Sequence, residues 1–469
     1  MNVIRTWLVI TAAVLVIWQG ISLASDRISI TIASWNFEER AADNLIFEFK
    51  LTSNGLGVVA SADSIMLAEP IGQLKKVSLK CTELTLLSEH YSCKQGAIAF
   101  QHAKLGSQQL NFSVKAQAET NRYDITVMGL ILAEAELSFS ANLANENWHV
   151  LLDIPQVSLT KLVDLASPYI AQENIEQINE WSYESDWMIS AELQGQNTQL
   201  KNANINVEAS ALNMSDSEGK YVTENTSFKL ALNLVQNNQH WQWQTELSIP
   251  SGQAYGEPIF LDFAETPLTI KAYGTGTQEN DEVAIVVANA KLNQENVTQM
   301  EMSGSGGISH INDLKMTVSK SELTRLYPIW IQPFIVGRAL DNVELAGQLD
   351  FHYEQLGEHY HLSVGLDDVF VDDEEQHFGI DALSGKIGWS NFEQTQALEL
   401  EWESAYVYAI ALGASRLKAQ AQNSSLILNE PWLLPVLDGE LQLNNFSLHN
   451  PGDENLKWSF EGELTPISM

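Results

Sequence analysis

Apolar and polar residues alternate with a period of two along almost the whole chain past residue 28, and this leaves few folds open. Ala133, Ala135, Leu137, Phe139 and Ala141 alternate with Glu and Ser, and Leu230, Leu232 and Leu234 with Ala and Asn. Trp241, Trp243, Leu247 and Ile249 share one face of another run, as do Val343, Leu345, Leu349 and Phe351 around Gly347. Leu398, Leu400 and Trp402, then Leu441 and Leu443, continue the pattern. Successive strand side chains point to opposite faces, so each run predicts a strand with one apolar and one wet face. Turn signals separate the runs, among them Asn-Glu-Asn at 145–147, Asp-Ser-Glu-Gly at 216–219 and Gly-Glu-His at 357–359. Strand-turn-strand units in series predict meanders of neighbouring antiparallel strands, an all-β class with minor α.

Charge narrows the partners. The 469 residues carry 25 Lys and Arg against 60 Asp and Glu, a formal charge of −35. Phosphate contacts need a basic face, so nucleic-acid binding is not expected. Docking of the body on an anionic leaflet is disfavoured for the same reason. A solvated acidic surface is the plain reading.

The N-terminus sets the compartment. Arg5 precedes an apolar run from Trp7 to Ala24. At about 1.5 Å per residue a helix of this length covers roughly 27 Å, enough for a bilayer core. The run reads either as an uncleaved anchor with its N-terminus in the cytoplasm or as a signal peptide cut after Ser22-Leu23-Ala24. Both export the chain from Ser25 onward. The expected location is the bacterial inner membrane, single-pass, with the body in the periplasm.

The two cysteines, Cys81 and Cys93, flank a polar turn around Ser88-Glu89-His90. Pairing them centres a hairpin near Leu87, so a cross-strand disulfide is expected in an oxidising compartment. The alternative, a two-cysteine metal site, lacks Cys-x-x-Cys spacing and a cluster of His ligands.

Two stretches break the β pattern. Within Val157–Trp181, residues Leu159, Leu162, Val163, Leu165, Ala166 and Ile170 fit a short amphipathic helix. Within Val318–Leu340, residues Leu323, Leu326, Tyr327 and Trp330 fit another, interrupted by Pro328 and Pro333. Aligning Leu162 with Leu323 and Pro168 with Pro328 suggests a repeat of about 160 residues, with a third copy starting at Asn429. The expected domains are 1–27, the anchor or signal segment; 28–155, a first β-meander with the cysteine hairpin; 156–317, helix plus meander; and 318–469, helix plus meander, incomplete at its end.

No His-Glu-x-x-His, G-x-S-x-G or Walker A motif is present, so neither a catalytic centre nor a cofactor is expected. Ser303-Gly304-Ser305-Gly306-Gly307 lies between β-runs and reads as a tight turn rather than a phosphate cradle. His359 and His361 share a strand face and could bind a metal if a third ligand arrived from elsewhere, but a solvated pair just after a turn is the plainer reading. Asp367, Asp368, Asp372, Asp373, Glu374 and Glu375 match no EF-hand and read as a solvated loop.

Several stretches resemble a known family. They are the hairpin from Cys81 to Cys93, SGQAYGEPIFLDF from Ser251 to Phe263, HFGIDALSGKIGW from His377 to Trp389, and the C-terminal PVLDGELQLNNFSLHNPGDENLKWSFEGELTPISM. With an N-terminal anchor followed by β-meanders and short helices, they resemble the AsmA-like superfamily of Gram-negative envelope proteins, within it the YdbH group. The resemblance implies an elongated, curled antiparallel sheet forming a repeating β-groove, with short interrupting helices and one N-terminal transmembrane helix. It implies a periplasmic bridge that carries phospholipid from the inner to the outer membrane and supports outer-membrane lipid homeostasis. The implied partners are membrane phospholipids, the inner membrane and an outer-membrane or periplasmic protein. The positions expected to line the groove are Leu137, Phe139, Leu232, Leu234, Ile285, Val287, Leu345, Leu349, Leu400 and Leu443. Members of the family run on past the point matched by Met469, so a truncated or split product is expected, or a second chain that supplies the rest.

Alternation alone leaves two rivals. A periplasmic β-sandwich scaffold or binding protein also buries one face of each sheet. An envelope glycosidase needs two carboxylates held together in a cleft, and no spacing in the sequence provides that.

Overall fold

The computed structural model describes residues 27–469 except 38–39, 53–54, 69–71, 88, 133, 168–174, 176–177, 239, 280–281, 308–309, 339, 451–455 and 466–469. The expected N-terminal anchor therefore lies outside the described residues. Among the described residues no helix is long and apolar enough to cross a membrane. Almost everything else is β-strand, as the alternation predicts.

The chain divides into two units, residues 1–154 and 155–469. In the first, strands from Arg27–Phe37 to Asn147–Ser158 each pair antiparallel with the next in sequence. Their register lines up apolar residues across the strands. One row runs from Ile28 through Phe49, Val58, Cys81, Gly96, Phe112 and Val127 to Phe139 and Leu152. The ring of Phe112 packs over Gly96, where a Cβ would force it to move.

Cys81 and Cys93 are joined, with Cα atoms 5.9 Å apart, and both are buried. The hairpin closes through reciprocal backbone hydrogen bonds between Leu87 and His90. That places Cys81 opposite Gly96 and Cys93 opposite Leu84, so the bridge runs diagonally rather than between facing residues. The facing pairs centre the hairpin between residues 88 and 89, just past Leu87 and within the expected turn. Because the bridge closes a short loop, replacing both cysteines by Ala is expected to lower unfolding stability by roughly 2–3 kcal/mol. Urea denaturation of the double variant checks this, and an unchanged midpoint would contradict it.

The second unit repeats the meander, beginning with strands Ser182–Gln196, Gln199–Ser215, Tyr221–Asn237 and His240–Gly256. Left-handed residues interrupt the ladders: Ala211, Asn225, Asp368 and Ala382 all have φ near +50° and sit at register shifts. Each such bulge moves the inward set by one position. In Gln199–Ser215 the inward residues are Ala203, Ile205, Val207 and Ala209, then Leu212 after the bulge. Ser303–Gly307, expected as a tight turn, instead ends the strand Thr298–Gly307. There its glycines face large neighbours, Gly304 lying opposite both Val287 and Leu314.

Helix α1 spans Leu159–Ala166 and helix α2 spans Leu323–Trp330. Each follows directly on a strand through a residue in extended backbone, Ser158 or Glu322. The matching starts are Leu-Thr-Lys-Leu from Leu159 and Leu-Thr-Arg-Leu from Leu323. Leu159, not Leu162, is thus the counterpart of Leu323, and Pro168 lies outside the described residues. Helix α2 buries Leu323, Leu326 and Tyr327, the i, i+3, i+4 stripe of an amphipathic helix. Leu323 and Tyr327 pack with Val343, Val369 and Val371. The Tyr327 hydroxyl donates to the carbonyls of Leu340 and Asp341. The indole N–H of Trp330 donates to Oε1 of Gln294 at 2.6 Å, and Gln294 donates to Thr266 Oγ1 at 3.0 Å. These bonds satisfy the amide of Gln294, only 1% exposed, and dock the helix on the sheet.

Candidate functional site

The candidate site of the second unit is the apolar face of its sheet. Leu234 lies opposite Trp243, Trp243 opposite Gly274, Gly274 opposite Val287, and Val287 opposite Gly304. The next row reads Trp241, Gly276, Ile285, Gly306. Large residues and glycines thus alternate across the strands. A Cβ on Gly274 would meet the Val286 carbonyl and the Trp243 ring, so only glycine lets these strands approach with the indole between them.

Most of this face is half-buried rather than closed. Leu232, Leu234, Ile285 and Val287 each alternate with exposed neighbours and are themselves partly exposed. Leu400 is half-buried in a row with Leu366 and Gly385, and Leu443 is half-buried opposite Trp432. In the first unit Phe139 is half-buried in the row through Cys81, whereas Leu137, opposite Leu130, is buried. Leu345 and Leu349 differ from the rest, since both pack against the cluster beneath helix α2. Trp187 and Trp402 point to the apolar face too, and their buried indole N–H groups have no hydrogen-bond partner among the described residues.

The opposite face is polar and held in register by ion pairs. Glu208 pairs with Lys229 at 2.9 Å, Glu246 with Lys271 at 3.0 Å, Lys291 with Glu301 at 2.6 Å and Lys315 with Glu354 at 2.8 Å. Each joins residues directly opposite each other on adjacent strands. Exposed pairs contribute only about 0.2–1 kcal/mol each, so their main effect is to penalise a one-residue slip. The hydrogen bond from Lys315 holds the Glu354 carboxyl below the usual carboxylate range.

The acidic run from Asp367 to Glu375 divides among three partners, Lys320, Tyr406 and His377. Asp367 pairs with Lys320. Asp372 accepts from the Tyr406 hydroxyl, which pushes that phenol up to about 12. Asp373 is buried and accepts from the His377 backbone at 2.9 Å. Asp373 and Glu375 also both face Nδ1 of His377, at 3.0 and 3.5 Å. His361 does gain ligand-type neighbours, but they are His352 and Glu354 rather than His359, while Phe392 lies beside both His359 and His361. The spacing of His352 and Glu354 carried the signal, but their juxtaposition with His361 depends on the hairpin register.

No family model matches the chain, and neither a curated protein nor a solved structure is similar to it at a significant level.

Proposed function

We propose that the chain is a periplasmic lipid-transfer protein of the AsmA-like, YdbH type, anchored in the inner membrane by its N-terminal segment. It carries phospholipid toward the outer membrane with the acyl chains lying along the apolar face. The observation that carries this reading is the register: rows of apolar residues and glycines cross successive strands in each unit, half-open to solvent. An acyl chain laid there loses contact with water at about 0.8 kcal/mol per CH₂. The indole N–H groups of Trp187 and Trp402 suit ester carbonyls of a bound lipid. Transport of this kind needs no reacting group, which accords with the lack of catalytic motifs. The closed cluster under helix α2 favours a second reading for that segment, a scaffold core without lipid.

Photo-crosslinking separates the two. A benzophenone side chain at Leu234 or Val287, on the apolar face, is expected to capture phospholipid in cells. One at Ala231 or Val286, on the opposite face, is not. Equal capture on both faces, or none on either, would remove the groove reading.

A further inference from the structure

We propose that His352, Glu354 and His361 form a binding site for a divalent transition-metal ion of the Zn²⁺ class, on the polar face of the sheet. His352 and Glu354 are two apart on the strand Val343–Leu356, so they share a face. His361 lies on the next strand, His359–Asp373, directly opposite Glu354. Backbone register alone therefore brings the three together. One ring nitrogen from each histidine and one carboxylate oxygen of Glu354 lie within 4.8 Å of one another. Tetrahedral Zn²⁺ holds such atoms about 3.4 Å apart, a closure that small side-chain rotations supply.

An ion here would share the Glu354 carboxylate with the Lys315 ammonium, so the two imidazoles supply most of its hold. Oε1 of Glu354 lies 2.8 Å from Lys315 Nζ, while Oε2 faces Nε2 of His361 at 3.6 Å. One carboxylate oxygen is thus engaged by the lysine and the other turns toward the imidazole. Thr317 Oγ1, 3.1 Å from Nδ1 of His352, restrains that ring in the manner of an outer-shell partner. The side chain of His361 is 16% exposed and that of Glu354 is 34% exposed, so water can complete the coordination. Two imidazoles and one carboxylate favour Zn²⁺, Cu²⁺ or Ni²⁺ over Ca²⁺ or Mg²⁺, which prefer all-oxygen sets. The ion would pin two strands of one hairpin on the face away from the apolar rows, so the site stands or falls independently of lipid transfer.

The test is calorimetric titration of the tag-free full chain with ZnCl₂ in chelator-free buffer. One equivalent is expected to bind with a dissociation constant in the micromolar range or tighter, unaffected by millimolar Ca²⁺. His352→Ala and His361→Ala are each expected to weaken binding at least tenfold, and His359→Ala to leave it unchanged. Bound Zn²⁺ is also expected to raise the melting temperature of the wild type but not of His361→Ala. His361→Asn substitutes if the alanine variant does not fold. Lack of a saturable one-to-one isotherm overturns the proposal, as does binding that survives loss of both His352 and His361. Equal weakening by His359→Ala overturns it as well.

Discussion

Val369→Asp is expected to destabilise the helix-capped region of the second unit by about 3–5 kcal/mol, the range for an unpaired buried charge. Val369 is 2% exposed and packs with Leu323, Tyr327, Val343 and Val371. A carboxylate there meets only apolar side chains in that cluster, so it must take up a proton against its ordinary pKa, stay charged without a partner, or expel the helix, and each costs stability. Leu345→Asp is expected to follow the same course in milder form, because Leu345 packs against the same cluster from a partly exposed position. Leu323→Ala, which only deletes packing, should cost about 2–4 kcal/mol. Urea titration followed by far-UV circular dichroism and tryptophan fluorescence measures all three. If Val369→Asp shifts the midpoint no more than a surface change does, the helix does not seal this part of the sheet.

The structure separates what alternation reveals from what it hides. Where a strand runs unbroken, the apolar set of the sequence is the inward set of the fold: Leu230, Leu232 and Leu234 alternate with exposed residues throughout. Where a bulge intervenes, the pattern changes phase. Along His359–Asp373 the inward positions are Leu362, Val364 and Leu366, then Val369 and Val371, with left-handed Asp368 between them. Glycine would have marked such a position in the sequence, but Asp368, Ala211 and Ala382 carry no such mark. The Cys81–Cys93 disulfide was legible in the spacing, but its diagonal placement was not, since the register of one hairpin depends on a turn whose length the spacing of the cysteines does not define. The two helices were visible as breaks in period. Their equivalence is clear only once both are seen to open on Leu-Thr-Lys/Arg-Leu directly after a strand. What sequence could not foresee is that α2 lies over Leu345 and Leu349 and separates them from the other apolar positions. That contact depends on how a short helix folds back, and propensity within eight residues does not decide it.

Leu232→Asp is expected to lower bound phospholipid at least tenfold while leaving the fold intact. Leu232 is half-buried, lies opposite Ile205 and Thr245, and has exposed Ala231 and Asn233 on either side. Because this position is already partly open to water, a new carboxylate keeps much of its hydration, so the folding cost should stay below about 1.5 kcal/mol. A passing acyl chain has no such freedom. It must either cross a hydrated charge or strip the water from it, and an unpaired ionised carboxylate resists desolvation by several kcal/mol. Leu234→Asp, next in the same row set, should act alike, and Leu232→Met should retain lipid because it conserves volume and polarity. The measurement pairs the melting transition of each variant with mass-spectrometric phospholipid content of protein purified without detergent. Loss of lipid together with loss of fold would class Leu232 with Val369, as a residue of a closed core. Retained fold with unchanged lipid would mean that the acyl chains do not run along this face. Only a folded, lipid-poor Leu232→Asp set beside an unfolded Val369→Asp identifies a path that is open along the rows of the first strands of the second unit and covered where α2 crosses it.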